Sequence, residues 1–366
     1  MLTFELILLV YAFISLVLPL PWRWYGKVVA LLVIALVDSK LHLYNFFGTR
    51  LDPNLPLPII LLLEILFATL IIAVFLAMLK DVLLLCFYVV TLICRRKFRP
   101  WPAKWLSLGI VLVALGQASY GTFSQFAVPD VKVVPIVVNN LPASLQGTRL
   151  VQLSDLHVGP LLKGEFVSKV VSQVNALNPA VVMITGDVVD GSIDEVGAEF
   201  DALAKLQASW DVLGVTGNHE YYCGMEPWVA LFERHGVDFL FNESRIYRQD
   251  NFKLKIVGLP DRGADLTTAL SGEQADFTLL MSHRPNIAWQ ADGVDLTVSG
   301  HTHGGAMFFL QPLISPYNAH LVSGMYHIND RLVYVSNGTG IWSNYACRFG
   351  VPAEITCFVL VPPPAR

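Results

Sequence analysis

Cysteine is scarce in this sequence: Cys86, Cys94, Cys223, Cys347 and Cys357 are the only five, and none forms a C-x-x-C pair. That spacing excludes a thiolate zinc framework and makes a disulfide scaffold a poor expectation. Cys347–Cys357 is the one bridge to consider in an oxidising compartment, with two core thiols as the plainer reading. Charge is sparse as well. Asp, Glu, Lys and Arg make up 15% of the chain against 54% hydrophobic residues, which is too apolar for an ordinary soluble protein. A net charge of −4 offers no basic surface, so nucleic acid is not an expected partner. The first twenty residues carry Glu5 and no base, and they end in Leu-Pro-Leu. A secretory signal would start with a base and end in small residues, so this stretch reads as a retained membrane helix.

What is present divides the 366 residues unevenly. The apolar excess lies before about residue 125, and residues 1–125 read as a transmembrane helical region of about four spans. Trp22, Arg23, Trp24 and Lys27 follow the first span as an aromatic and basic interface belt. A second span starts at Val28 and is interrupted by Asp38, Lys40 and His42; a third runs from Leu57 to Leu79 and contains Glu64. An acid at that depth either marks an ion path or finds a polar partner on another helix. Val82–Cys94 is too short to cross alone and either extends the third helix or adds a fifth span. A last span covers Trp105 to Phe123. Basic residues precede it at Arg95, Arg96, Lys97, Arg99 and Lys104. With four crossings both basic loops fall on one side, the cytoplasmic one, and the C-terminal region lies outside the cytoplasm. The expected localisation is an integral multi-pass membrane protein, in the inner membrane if the cell is bacterial.

Residues 126–145 form a connector and first strand, with VKVVPIVV as its apolar alternation. From 146 to 366 apolar runs alternate with amphipathic ones. Strands are expected at Leu150–Leu153, Val181–Thr185, Val212–Thr216, Lys253–Gly258, Phe277–Met281 and Leu296–Ser299. Helices are expected at Phe166–Leu177, Val196–Leu206 and Glu226–His235. This alternation implies an α/β domain. Beyond residue 305 short strands follow, including Leu332–Val335 and Glu354–Val361, and they suggest a second sheet packed beside the first. Met307 to Ile314 reads as a core strand or as an apolar rim.

Five of these strands end in residues that ligate metals: Asp155 and His157, Asp187, Asn218-His219-Glu220, His283, and His301 with His303. On an extended backbone Asp155 and His157 would leave on one face. Sites in open α/β sheets form at the carboxyl ends of strands, so the five ends should converge. Asp, His and Asn without thiolate suit manganese, iron or zinc. Seven candidate ligands exceed one ion and fit two sharing a carboxylate. Two divalent ions, less two carboxylates and one hydroxide, leave about +1, which attracts an anion such as a phosphate ester. Asp190 reads as a loop cap, His235 as a helix-end residue, and His42, His320 and His327 as interfacial, surface or packing residues.

The set Asp155-x-His157, Gly186-Asp187, Gly217-Asn218-His219, His283 and Gly300-His301-x-His303 resembles the calcineurin-like metallophosphoesterase family. The wording LSDLHVGP, GDVVDG, VTGNHEYY, SGHTHGG and RFGVPAEI is similar to a membrane-anchored branch of it. The resemblance covers roughly residues 140–362. It implies two packed mixed β-sheets flanked by helices, two divalent ions, and hydrolysis of a phosphate ester by a metal-bridging hydroxide. One ion would be held by Asp155, His157, Asp187 and His303, the other by Asp187, Asn218, His283 and His301. His219 would act on the phosphate and its leaving oxygen. Glu220 stands where many members carry Asp and would orient a neighbour. Arg348 is the candidate substrate contact outside the metals. The substrate could be lipid-linked; a pyrophosphatase of a nucleotide-linked lipid and a non-catalytic membrane scaffold are the rival readings.

Overall fold

A computed structural model describes residues 2–95, 97, 103–342 and 344–364, and the chain falls into two compact units. The first unit comprises Met1–Ser124 and Asn344–Phe349; the second comprises Gln125–Ser343 and Gly350–Arg366.

The first unit is helical: α1 (Leu2–Ala12, continued by a π turn Phe13–Val17), α2 (Trp24–Asp38), α3 (Lys40–Phe47), α4 (Leu57–Ile93) and α5 (Ala103–Phe123). Pro58 sits in the first turn of α4, where a missing N–H costs nothing. From there α4 runs for 37 residues without a break, about 55 Å at ~1.5 Å per residue. The expected third span and Val82–Cys94 are therefore one helix. Its Lys80 and Asp81 are tolerated mid-helix because they find polar partners: Lys80 Nζ donates to the Ser15 carbonyl at 2.8 Å, and Asp81 Oδ2 accepts from Tyr11 and Ser15 hydroxyls at 2.7 and 2.6 Å. Among the described residues two helices, Leu57–Ile93 and Trp105–Phe126, are long and apolar enough to cross a membrane. At 15 residues α2 reaches only about 22 Å, short of the ~30 Å hydrocarbon core, so the expectation of four spans reduces to two helices of sufficient length. Arg96 and Arg99 of the basic cluster lie outside the described residues.

Glu64 takes the plainer of its two readings. Its Oε1 accepts from Lys40 Nζ and from the Tyr44 hydroxyl, each at 2.9 Å, and its Oε2 accepts from the Ala346 N–H at 3.1 Å. Lys40 also donates to the Asn344 carbonyl at 2.6 Å and lies 4.4 Å from the Phe67 ring centroid. Both charges are buried, with Lys40 0% and Glu64 2% exposed. A buried ion is tolerable only when paired and hydrogen-bonded, and the segment Asn344–Phe349 supplies the backbone groups that complete this pair.

The second unit is built from β1 (Val131–Val137), β2 (Arg149–Leu153), β3 (Val181–Ile184), β4 (Asp211–Gly214), β5 (Asp238–Phe239), β6 (Glu243–Gln249), β7 (Phe252–Leu259), β8 (Phe277–Ser282), β9 (Leu296–Ser299), β10 (Gly324–Ile328), β11 (Arg331–Val335) and β12 (Ile355–Val361). They form two six-stranded mixed sheets, ordered β1-β12-β2-β3-β4-β5 and β10-β11-β9-β8-β7-β6. Strands β2 to β4 run parallel to one another, as do β7 to β9. Strands such as VVMI at β3 are buried along their whole length, the pattern of a parallel sheet covered on both faces. The inner faces meet in one core that includes Leu150, Met183, Leu213, Ile256, Leu279, Val298 and Phe358. Phe166, Val167, Val170, Val171 and Val174 line the buried face of α6 (Gly164–Ala176).

Two local expectations change, and the plainer reading of the cysteines holds. Val196–Leu206 is not an α-helix: a single turn, α7 (Ile193–Val196), gives way to a 3-10 segment over Gly197–Lys205. Met307–Ile314 is not a core strand; it forms helical turns, with Phe308 45% and Leu313 59% exposed. Cys347 and Cys357 are free, buried thiols.

Candidate metal centre

The parallel strands of both sheets deliver their ligands from their carboxyl ends. Asp155 and His157 follow β2 and Asp187 follows β3. Asn218, His219 and Glu220 open α8 (Asn218–Cys223) after β4, His283 follows β8, and His301 and His303 follow β9. The extended geometry expected for Asp155 and His157 is not what the chain uses. Their φ angles are 55° and 45°, and Asp187, His301 and His303 share the left-handed region at 53°, 71° and 48°. Non-glycine residues avoid that region, at a cost of about 1–3 kcal/mol each. The two loops hold one another there: the N–H groups of Asp155 and His157 donate to the carbonyls of Gly186 and Asp187 at 3.0 and 3.1 Å. Glycine is required where loops meet. A Cβ on Gly217 would lie 2.2 Å from Asp187 Oδ1, and one on Gly300 would lie 1.9 Å from Ser154 Oγ.

Three groups of potential ligand atoms result: Asp155, His157 and His303; His157, Asp187 and His219; and Asp187, His283 and His301. In the first, Asp155 Oδ1 lies 3.3 Å from His303 Nε2, which lies 3.0 Å from His157 Nε2. In the third, His283 Nε2 lies 3.1 Å from both Asp187 Oδ2 and His301 Nδ1. Asp187 Oδ2 reaches toward both, at 3.8 Å from His157 Nε2. The donor set fits divalent ions. Ligand atoms ~2.1 Å from one ion stand about 3.0 Å apart at octahedral and about 3.4 Å apart at tetrahedral angles. Pairs of imidazole nitrogens facing each other at such distances, beside buried carboxylates, are arranged for a cation between them. Arg284, which follows His283, binds the edge of the third group: its Nη2 donates to Asn218 Oδ1 at 2.9 Å and its Nη1 lies 3.1 Å from His301 Nε2.

Supporting contacts orient these ligands. His283 Nδ1 donates to the Thr185 carbonyl at 2.9 Å, which turns Nε2 toward Asp187. Asp190 Oδ1 accepts from His157 Nδ1 at 3.1 Å and from His219 Nδ1 at 2.6 Å. Asp187 Oδ1 accepts from the His219 N–H at 2.8 Å. Glu220 accepts from the N–H groups of Gly217, Asp187 and Val188 at 2.6, 3.0 and 2.7 Å. The Trp342 ring stacks on His303, with centroids 5.5 Å apart.

Burial pushes the Asp155 carboxyl up and works against the Asp187 carboxylate, but His283 and His219 overcome it at Asp187 and hold that group well below the usual range. Burial would lower His219, yet Asp187 and Asp190 outweigh it and push the imidazole up to about 9. His301 moves the other way: burial and the neighbouring His283 and Arg284 charges keep it neutral, as a ligand must be.

All seven sequence-derived ligands and His219 thus sit on adjoining loops of one unit. Arg348 is in the other unit. It belongs to the Asn344–Phe349 segment of the helical unit, is 5% exposed, and its N–H donates to the Gly121 carbonyl at 3.2 Å. Sequence reasoning gave Asp190 too small a part and passed over Arg284. The short spacing from Asp187 hints at the first; nothing in the pattern distinguishes the second from any charge at a strand end.

Residues 148–305 match the calcineurin-like phosphoesterase family. A Helicobacter pylori protein called an uncharacterized metallophosphoesterase is 33% identical over 272 residues, covering 71% of each chain. The transmembrane protein with metallophosphoesterase domain of Danio rerio is 32% identical over 276 residues, 69% of this chain and 62% of that one; its Bos taurus counterpart is 33% identical, over 68% and 61%. The chain therefore spans less than two thirds of the length of these vertebrate relatives. With its ligand loops in family order and a relative this similar over most of both lengths, the chain belongs to the calcineurin-like phosphoesterase family.

Proposed function

We propose that this protein is a membrane-anchored hydrolase of phosphate esters working at a centre of two divalent ions. Asp155, His157, Asp187 and His303 would hold one ion, and Asp187, Asn218, His283 and His301 the other. The observation that carries the reading is Asp187, a single buried carboxylate belonging to two ligand groups. When bound, such ions supply Lewis acidity toward phosphoryl oxygens and an activated water. The chain's own residues do the rest. His219 is held by Asp190 with its Nε2 3.8 Å from Asp187 Oδ2, a position from which the ring would donate a proton to the leaving oxygen. Asp190 fixes the tautomer by accepting at Nδ1, so Nε2 is the nitrogen that gives up the proton.

Membrane anchorage is supported by α4 and α5, whose Leu83, Leu85, Leu92, Leu112 and Val113 are exposed apolar side chains. The basic residues between them favour the cytoplasm, which would carry the chain after α5 to the other side. A second reading of the substrate, a lipid-linked phosphate, is favoured by the exposed Phe308 and Leu313 shortly after His303. The test is a panel of phosphomonoesters, phosphodiesters and lipid pyrophosphates, offered to purified full-length protein loaded with manganese, iron or zinc. Turnover of a phosphate ester that disappears on chelation is expected; no turnover with any metal would refute the reading. Equal kcat/KM for short- and long-chain lipid esters, unchanged by Phe308→Ser, would remove the lipid preference.

A further inference from the structure

Arg284 is a buried-anchored cation that the ligand set does not require. Its Nε donates to Asp261 Oδ1 at 2.6 Å, and Asp261 is 4% exposed at the side chain while Arg284 is 40% exposed. One edge of the guanidinium is therefore pinned to a buried carboxylate. The other edge reaches Asn218 Oδ1, the oxygen through which Asn218 would ligate, and His301 Nε2, the ring nitrogen opposite the Nδ1 that faces His283. A fixed positive charge is a poor neighbour for a divalent cation, because it repels the ion. An ion-pair strut for the loop around Asp261 could point away from the ligands; this one points at them. The arrangement becomes favourable when an anion lies between guanidinium and metal, because a planar fork of N–H donors matches phosphoryl oxygens.

We propose that Arg284 anchors the substrate phosphate at the Asn218–His301 side of the centre and selects dianionic phosphate monoesters over monoanionic diesters. The assignment rests on the phosphoesterase reading above and adds a residue to it. Arg284 forms no bond to the reacting phosphorus and moves no proton; it holds non-bridging phosphoryl oxygens while His219 faces the leaving group. Losing it removes charge-assisted hydrogen bonds from the more highly charged substrate first.

The experiment uses full-length protein with Arg284→Gln and Arg284→Lys, and three readouts. Metal content is measured by elemental analysis, inorganic phosphate affinity by calorimetry, and kcat and KM on a monoester and a diester. Both variants should keep the wild-type metal content. Arg284→Gln should bind phosphate roughly ten- to a hundredfold more weakly, raise KM for the monoester more than it lowers kcat, and narrow the monoester-to-diester ratio. Arg284→Lys, which keeps the charge but not the fork, should recover part of each effect. Unchanged phosphate affinity in Arg284→Gln overturns the proposal. So does loss of metal from both variants, which would make Arg284 a brace for Asn218 and His301. The two readings fail separately. Arg284-dependent phosphate binding without hydrolysis by wild type would sink the enzyme reading alone, and hydrolysis indifferent to Arg284 would sink only this one.

Discussion

Shortening Glu220 by one methylene is an informative perturbation, because this side chain closes the loops that carry Asp187. Glu220 is fully buried and accepts three backbone N–H bonds, from Gly217, Asp187 and Val188, at 2.6 to 3.0 Å. Glu220→Asp would withdraw the carboxylate by about 1.5 Å, taking those contacts beyond the ~3.2 Å limit of a useful N–H···O bond. Three buried donors would then be unsatisfied, at about 1–3 kcal/mol each. Even the low end, about 3 kcal/mol, corresponds to a fall in Tm of roughly 6–12 °C for a unit of this size. The left-handed Asp187 is the residue those bonds restrain, so metal affinity should also drop, by roughly ten- to a hundredfold. Thermal melts and metal titrations on wild type and Glu220→Asp check both numbers. A variant with unaltered Tm and unaltered metal affinity would refute the claim that Glu220 sets the loop.

Asp190→Asn should impair turnover and metal retention together, because one carboxylate oxygen serves both His219 and His157; a loss confined to turnover would mean that His157 needs no such partner. Lys40→Met or Glu64→Ala alone should destabilise the helical unit by about 3–5 kcal/mol, while Lys40→Met with Glu64→Leu should recover much of it; detergent-solubilised melts of all three variants decide this. In the metal-free protein His219 and His283 are raised from 6.5 to about 9 and about 10, where burial opposes and neighbouring Asp187 outweighs it. Groups raised in the folded state stabilise it fully below pH 6.5 and lose that contribution as pH rises through 9 and 10. Tm of chelated protein should therefore fall over that window, and a rise would contradict these assignments.

The second unit was readable where burial is two-sided. Runs such as Val181–Ile184 and Leu296–Ser299 carry no charged residue to obscure them, and a glycine and a ligand loop follow each within two residues. Strand β6, ESRIYRQ, was missed because it lies at a sheet edge, is mostly part-exposed, and alternates too little to stand out. The candidate ligands could be named because residue type and order are properties of sequence. Ligand conformation was not legible: positive φ at Asp155 and His157 comes from hydrogen bonds to the Asp187 loop, thirty residues away. The same limit applies to Arg284, whose meaning depends on Asp261 and Asn218. In the helical unit, Lys40 and Glu64 each look like an interruption of an apolar run. Only their pairing across 24 residues explains both, and the backbone of Asn344 and Ala346 could not be foreseen as its complement.

Metal stoichiometry tests the central claim most directly. Full-length wild type, Asp187→Asn and His219→Ala would be purified with the same divalent ion and their metal counted per chain. A two-ion centre joined by Asp187 predicts close to two ions in wild type and in His219→Ala, and the loss of both in Asp187→Asn. Two ions retained by Asp187→Asn, or one lost from His219→Ala, would contradict it.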